Sequence, residues 1–249
     1  MKKPRGADPA ANSPDVTGVP IRRIRWSSAY HLIPSRYPPI ELFERVAPKA
    51  DFAALIELES LTNPRVRDEI GNIQLVPDSK RVTGPGSTVV MAPFTYCSTS
   101  RPTRFSDGTY GVYYAGRLFE TALLEVTFHM ERFYAATADP RLAASFRVHT
   151  GKVDKPMHDI RGGGYDDVLG RDIATYGKPQ AVAKALRTCG SNGIVYPSVR
   201  HPGGECIAAF WPTSITIPVQ TRHIDLRWDG TRISDWFDRE DDTWKGMPS

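Results

Sequence analysis

Three stretches of this sequence gather side chains that can do chemistry. In the first, Thr99-Ser100-Arg101-Pro102-Thr103-Arg104-Phe105-Ser106-Asp107-Gly108, two arginines, an aromatic ring and several hydroxyls share one loop. A guanidinium is a planar, permanent cation whose donors match phosphate oxygens, so such a loop can bind an anion. Composition alone favours an ordinary solvated loop. The second is Glu125, four residues before His129. At the edge of a buried helix face a carboxylate can stabilise positive charge; on a solvated face it makes only an ion pair. The third run, Tyr196-Pro197-Ser198-Val199-Arg200-His201-Pro202-Gly203-Gly204-Glu205, clusters hydroxyl, guanidinium, imidazole and carboxylate groups in a turn. Strand ends often carry sites, although plain polar turns are commoner. Ser198 is not in a G-x-S-x-G setting, which gives no sign of a Ser-His-Asp hydrolase. Without C-x-x-C, H-x-x-x-H or H-E-x-x-H, no metal site is expected. The residues alone describe an anion-binding α+β enzyme whose reaction stays open.

The elements that must position these groups can be read in order. Gly111-Val112-Tyr113-Tyr114-Ala115-Gly116 is a strand bounded by glycines. A helix follows over residues 118–133, with Phe119, Leu123, Val126, Met130 and Phe133 as its core stripe and Glu125 beside it. A strand is expected over residues 145–153, then a loop with Gly162-Gly163-Gly164. That loop has no G-x-G-x-x-G or G-K-[ST] and reads as a turn rather than a phosphate cradle. A second helix runs from Pro179 to Cys189 and stops at Gly190. Strands at residues 193–196 and 206–211 flank the turn that holds Ser198, and Asp229-Gly230 marks a hairpin. Upstream, residues 40–46 read as a strand and Asp51 as the cap of a helix ended by Asn63-Pro64. The resulting organisation is a disordered tail at 1–20, an irregular lead-in at 21–39, one domain at 40–237 including the hairpin, and a flexible tail at 238–249.

Composition narrows the function classes. The 249 residues suffice for a sizeable core, and 32 basic against 28 acidic residues leave a net charge of +4. That mild excess fits a phosphate-bearing small molecule or an ordinary surface, and no direct nucleic-acid binding is expected. No apolar run approaches the roughly 20 residues of a membrane span. Cys97, Cys189 and Cys206 show no pairing pattern, and no apolar leader follows Met1-Lys2-Lys3. A reducing, cytoplasmic setting is therefore the expectation.

The motifs also carry a resemblance. Arg104-Phe105-Ser106, then Gly111-Val112-Tyr113-Tyr114-Ala115, then Thr121-Ala122-Leu123-Leu124-Glu125-Val126, resemble the first half of the RES domain of bacterial toxins. Gly193-Ile194-Val195-Tyr196-Pro197-Ser198-Val199-Arg200 with Gly203-Gly204-Glu205-Cys206 resembles its second half. Arg104, Glu125 and Ser198 match the arginine, glutamate and serine that name the family. Each motif alone is weak; the three in order are specific, and the resemblance spans about residues 42–212.

That resemblance implies an ADP-ribosyltransferase-like α+β domain, a mixed β-sheet with flanking helices and an NAD-binding cleft. It implies a toxin that takes NAD as substrate, holds no permanent cofactor, and is silenced by an Xre-type antitoxin reaching into the cleft. Glu125 would stabilise the ribose cation, and Ser198 would orient the nicotinamide-ribose end. Arg104, with Arg45 from a Phe-Glu-Arg-Val match, would hold the pyrophosphate, and Tyr114 would frame the nicotinamide ring. A structural salt bridge accounts for Arg45 equally well, and His129 and His201 are read as structural. Glycohydrolase, phosphorylase and protein ADP-ribosyltransferase activities are all compatible, the acceptor being water, inorganic phosphate or a protein such as phosphoribosyl pyrophosphate synthetase. A non-enzymatic binding module is the remaining alternative. Two features depart from the compact family pattern. About 40 residues precede the first matching strand, with an insertion at 63–93, and Thr103-Arg104-Phe105-Ser106 lacks the family's glycines.

Overall fold

The computed structural model describes residues 14–36, 71–137 and 142–248. The expected strand at 40–46, the helix capped by Asp51, and Arg45 lie outside them. Among the described residues there are eight strands and three α-helices in an α+β arrangement, as expected. Strand β1 (Ile21–Pro34) is followed by helix α1 (Ser87–Thr95), strand β2 (Tyr113–Gly116) and helix α2 (Phe119–Ala135). Then come β3 (Leu142–Asp159), α3 (Gly177–Thr188), β4 (Gly193–Pro197), β5 (Glu205–Ala209), β6 (Val219–Trp228), β7 (Ile233–Asp238) and β8 (Thr243–Gly246).

The sheet is mixed because β3 pairs parallel with β4 while the other pairings are antiparallel. The 18-residue β3 is the spine. It pairs along most of its length with β1 and lends its first half to β6 and its last residues to β4. Since β1 also touches β2 at Tyr30, and β2–β5–β4 returns to β3, the pairings close a ring of five strands. Strands β6, β7 and β8 extend the sheet outward from β3.

Alternation along the strands sorts side chains between the two faces. Ile24, Trp26, Tyr113, Ala115, Val153, Met157, Val195, Ile207 and Ala209 form a core cluster closed by Val90, Met91 and Phe94 of α1. The alternate residues Ile194, Tyr196, Cys206 and Ala208 pack instead with Val182, Ala183 and Leu186 of α3 and with Phe105 and Tyr110. Helix α2 packs through Phe119, Ala122, Leu123 and Tyr134 onto Leu32, Phe146, Ile224, Leu226 and Trp236. No helix among the described residues is long and apolar enough to cross a membrane.

Several expectations change. Residues 21–34 are a regular strand, not an irregular lead-in. The buried positions run Ile24, Trp26 and then Ala29, because the register shifts between Trp26 and Ala29, and that bulge breaks the period-two pattern. Residues 14–20 are ordered rather than part of a disordered tail: Val16 and Val19 pack on the α3 cluster, and the carbonyl of Pro20 accepts from Asp159 N at 2.8 Å. Residues 243–246, within the expected flexible tail, are the edge strand β8, pinned by Lys245 Nζ to Asp238 at 3.2 Å. On α2 the buried stripe turns toward Tyr134, and Phe133 is exposed. The hairpin at Asp229-Gly230 joins β6 to β7, its Asp229 carboxylate accepting from the Thr231 and Arg232 amides.

Leu123 is fully buried between α2 and the sheet. Leu123→Ala should lower the unfolding free energy by about 3 kcal/mol in urea titration, the usual loss for a deep leucine. A loss below about 1 kcal/mol would mean that α2 does not depend on this contact.

Candidate functional site

Glycine sets the distance between β2 and α2. A Cβ on Gly116 would lie 2.6 Å from Ala122 N and 3.0 Å from Leu118 O, so any side chain there would push the helix off the strand. With the helix seated this closely, Glu125 comes within reach of the turn after β4. Ser198 Oγ donates to Glu125 Oε1 at 2.6 Å. The hydroxyl has little freedom to point elsewhere, because its oxygen accepts from the amides of Arg200 at 3.1 Å and His201 at 3.0 Å. One helical turn earlier, Thr121 Oγ1 shares a 2.8 Å hydrogen bond with His201 Nδ1. Two bonds spaced four residues apart thus lock α2 to the β4–β5 turn. Buried Cys206 adds its Sγ at 3.9 Å from the same Glu125 oxygen.

The first loop approaches from the other side. Phe105 is wholly buried, its amide donating to Tyr114 Oη at 3.0 Å and its carbonyl accepting from Tyr110 Oη at 2.7 Å. Tyr114 Oη shares a further bond with Thr103 Oγ1 at 2.9 Å, and burial pushes its phenol up to about 12. The anchored loop carries Arg104, only 7% exposed, whose Nη1 donates to Gly170 O at 2.7 Å and whose guanidinium lies 4.8 Å from the Tyr176 ring centre.

Arg101, Arg104, Tyr114, Glu125, His129, Tyr176, Tyr196 and Cys206 are among the walls of one cleft of about 380 Å³, and Ser198 reaches it through its bond to Glu125. The volume falls within the roughly 300–1,000 Å³ of small-molecule sites. Arg104, Tyr114, Glu125 and Ser198 are therefore brought together; Arg45 lies outside the described residues. Glu125 is the one carboxylate among the described lining residues. His201 holds the turn. His129 sits on the cleft wall, where desolvation and the guanidiniums of Arg200, Arg104 and Arg132 push its pKa down. Glu205, counted with the turn cluster, is instead paired with Arg117 at 2.7 Å and Arg161 at 2.6 Å. Burial raises its carboxyl, but those two partners outweigh it and hold the pKa below the ordinary value.

Sequence reasoning missed His31 and Tyr176. His31 lines the cleft, bonds Tyr114 O through Nδ1 at 2.8 Å and packs 4.4 Å from the Tyr113 ring. It stands on the bulged strand whose pattern was hidden, so no periodicity marked it. Tyr176 lies at the N-cap position of α3, where nothing in the sequence distinguishes it from a packing residue.

Burial pushes His31 down from 6.5 to about 4. The unfolded chain takes up this proton as pH falls below about 6.5 while the folded chain refuses it until about 4, so stability is present above 6.5 and is lost across that window. In urea titrations from pH 7 to 4, His31→Gln should show a shallower acid-side loss than the parent protein. Equal slopes would show that His31 is not held neutral.

The RES domain family matches residues 79–229. The match begins after the stretch that contains Arg45 and includes Arg104, Glu125 and Ser198. The chain is 27% identical over 212 residues to the uncharacterized protein y4oC of Sinorhizobium fredii (strain NBRC 101917 / NGR234), covering 82% of this chain and 84% of that one. Among solved structures it is similar to a chain of the M. tuberculosis MbcT–MbcA toxin–antitoxin complex. That similarity has 15% identity and a TM-score of 0.36, covering 50% of this chain and 71% of that chain. With more than half of its residues inside the matched domain, the chain belongs to the RES domain family.

Proposed function

We propose that this protein is a toxin that cleaves the nicotinamide–ribose bond of NAD. The observation that carries the reading is the Ser198–Glu125 hydrogen bond at a cleft that Arg104 also lines. Breaking this bond leaves the electron pair on nicotinamide nitrogen and builds positive charge on the ribose, as in glycoside cleavage through an oxocarbenium-like state. A fixed carboxylate beside the ribose stabilises that charge. Ser198 occupies Oε1 of Glu125, which leaves Oε2 to accept from a ribose hydroxyl. Arg104 holds the pyrophosphate, and Tyr114, tethered by its hydroxyl to residues 103 and 105, frames the nicotinamide. Water or phosphate then attacks the same ribose carbon from the open side. An Xre-type antitoxin segment filling the cleft would silence the reaction by excluding NAD.

Purified protein should release nicotinamide from NAD, and Glu125→Gln should slow release by about 10²-fold or more, the scale for losing a charge stabiliser. Phosphate dependence identifies phosphorolysis; radiolabel passing from NAD onto a protein band identifies a protein acceptor. Unchanged release by Glu125→Gln would falsify the assignment.

A further inference from the structure

Among the described residues the arginines are satisfied in different ways, and Arg187, over the Tyr110 and Trp211 rings, shares with Arg104 and Arg200 an aromatic neighbour in place of an ion pair. Arg23, Arg117, Arg161, Arg227 and Arg239 are in ion pairs with carboxylates. Arg104 and Arg200 are in no ion pair among the described residues and lie against aromatic rings and backbone carbonyls instead, with Glu125 acting on Arg200 through its charge alone. Arg200 stands two residues beyond Ser198 with its guanidinium 3.4 Å from the Phe128 ring centre. Its Nη2 donates to Arg171 O at 2.5 Å, its side chain also meets Tyr176, and its Nε is buried with no partner. Arg104 donates to Gly170 O, the carbonyl immediately before.

Two guanidiniums without an ion pair thus grip two successive carbonyls of one short segment, residues 170–176. That segment is tied internally: Asp172 Oδ1 accepts from Ala174 N at 2.9 Å, and Thr175 Oγ1 donates to Asp172 O at 2.6 Å. Upstream, Val168 is buried in the core; downstream, Gly177 has nothing near its Cβ position. Ile173 and Tyr176 of the segment line the cleft. Apart from its continuation into α3, it is hydrogen-bonded to the rest of the described residues through the two arginines.

Neutral carbonyls are weak substitutes for an anion at such a site. A charge-assisted bond from guanidinium to phosphate is roughly twice as strong as one to a neutral acceptor. We infer that Arg200 is the second arm, with Arg104, of a clamp for the diphosphate of the ligand, and that residues 170–176 form a strap that the diphosphate displaces. This rests on the NAD reading; Arg45 lies outside the described residues and does not enter it. The strap supplies each cation with one acceptor in the free protein; a diphosphate takes both carbonyls' places and frees the strap to move.

The test uses ADP-ribose, which carries the diphosphate but no nicotinamide. Binding is measured by calorimetry, with hydrogen exchange of residues 170–176 followed in parallel. Arg200→Met, which keeps an unbranched stem and removes the guanidinium, should weaken ADP-ribose binding about 10- to 100-fold, the scale of one lost charge-assisted bond. Arg200→Lys should recover part of that loss. Adding ADP-ribose to the parent protein should speed exchange in the strap, and Arg200→Met should speed it without ligand. If Arg200 only fastens the strap, Arg200→Met opens the cleft and binding stays equal or tightens, which overturns the clamp. Unaltered strap exchange on ligand binding overturns the displacement. A parent protein that binds no ADP-ribose instead defeats the NAD reading on which the clamp rests.

Discussion

The pairing of β1 with β3 is the constraint on which the rest of this structure depends. At about 3.3 Å per residue, an 18-residue strand reaches roughly 60 Å, far longer than an average strand needs. β3 uses that length to serve three partners in succession. Its pairing with β1 runs from the first residues of β1 to the last and carries Tyr30 to the end of β2. Without it the ring would be open between β1 and β3, and the cluster of Ile24, Trp26, Tyr113 and Val153 would face solvent. Closing the ring also turns Tyr114, Tyr196 and Cys206 outward to the same face, which becomes the floor of the cleft.

On that floor the polar contacts are few and over-determined. Ser198 has its oxygen filled by two turn amides and its proton directed at Glu125. A hydrogen bond to an ionised acceptor contributes more than a neutral one, and its geometry is tightest where neither partner can rotate away. The neighbouring Thr121–His201 bond keeps the helix and turn in step. Gly204 has a matching reason to be glycine: a Cβ there would lie 2.7 Å from Thr121 Oγ1 and 2.8 Å from His201 Nδ1. Glu125 is thus held with one oxygen committed and one available.

How much of this could be read from residue order follows from how local each signal is. α2, α3, β2, β4, β5 and the β6–β7 hairpin each announce themselves within one short window, by period or by turn chemistry. Arg104, Glu125 and Ser198 were found because they sit inside such windows. β1 was missed because its bulge after Trp26 shifts the alternation by one position, so each half looks like an incomplete pattern. His31 went unseen with it. β8 was missed because an edge strand of four residues, held by one neighbour and a lysine, has no buried face to create a pattern. Tyr176 and Arg200 matter through partners far away in sequence, at Arg104, Arg171 and Phe128, and no local window contains such a contact.

The distribution of charge gives the cleft its character. A mild net charge of +4 says little about binding, because a sum does not tell where the cations gather. More telling is that Arg104 of the cleft and Arg200 of the turn beside Ser198 are in no ion pair among the described residues. Elsewhere, Arg161 is held by Asp159 and Glu205, and Arg239 by Asp225, pairs that neutralise each other and fasten strands together. Arg104 and Arg200 rest against the rings of Tyr176 and Phe128 and donate to peptide carbonyls, which supply dipoles but no negative charge. Such contacts orient a guanidinium while leaving its positive field largely intact. A carboxylate partner in either place would fasten the strap more firmly and would cancel the field that an anionic ligand needs. The carbonyl latch resolves that conflict: it holds the residues in position until a stronger acceptor arrives.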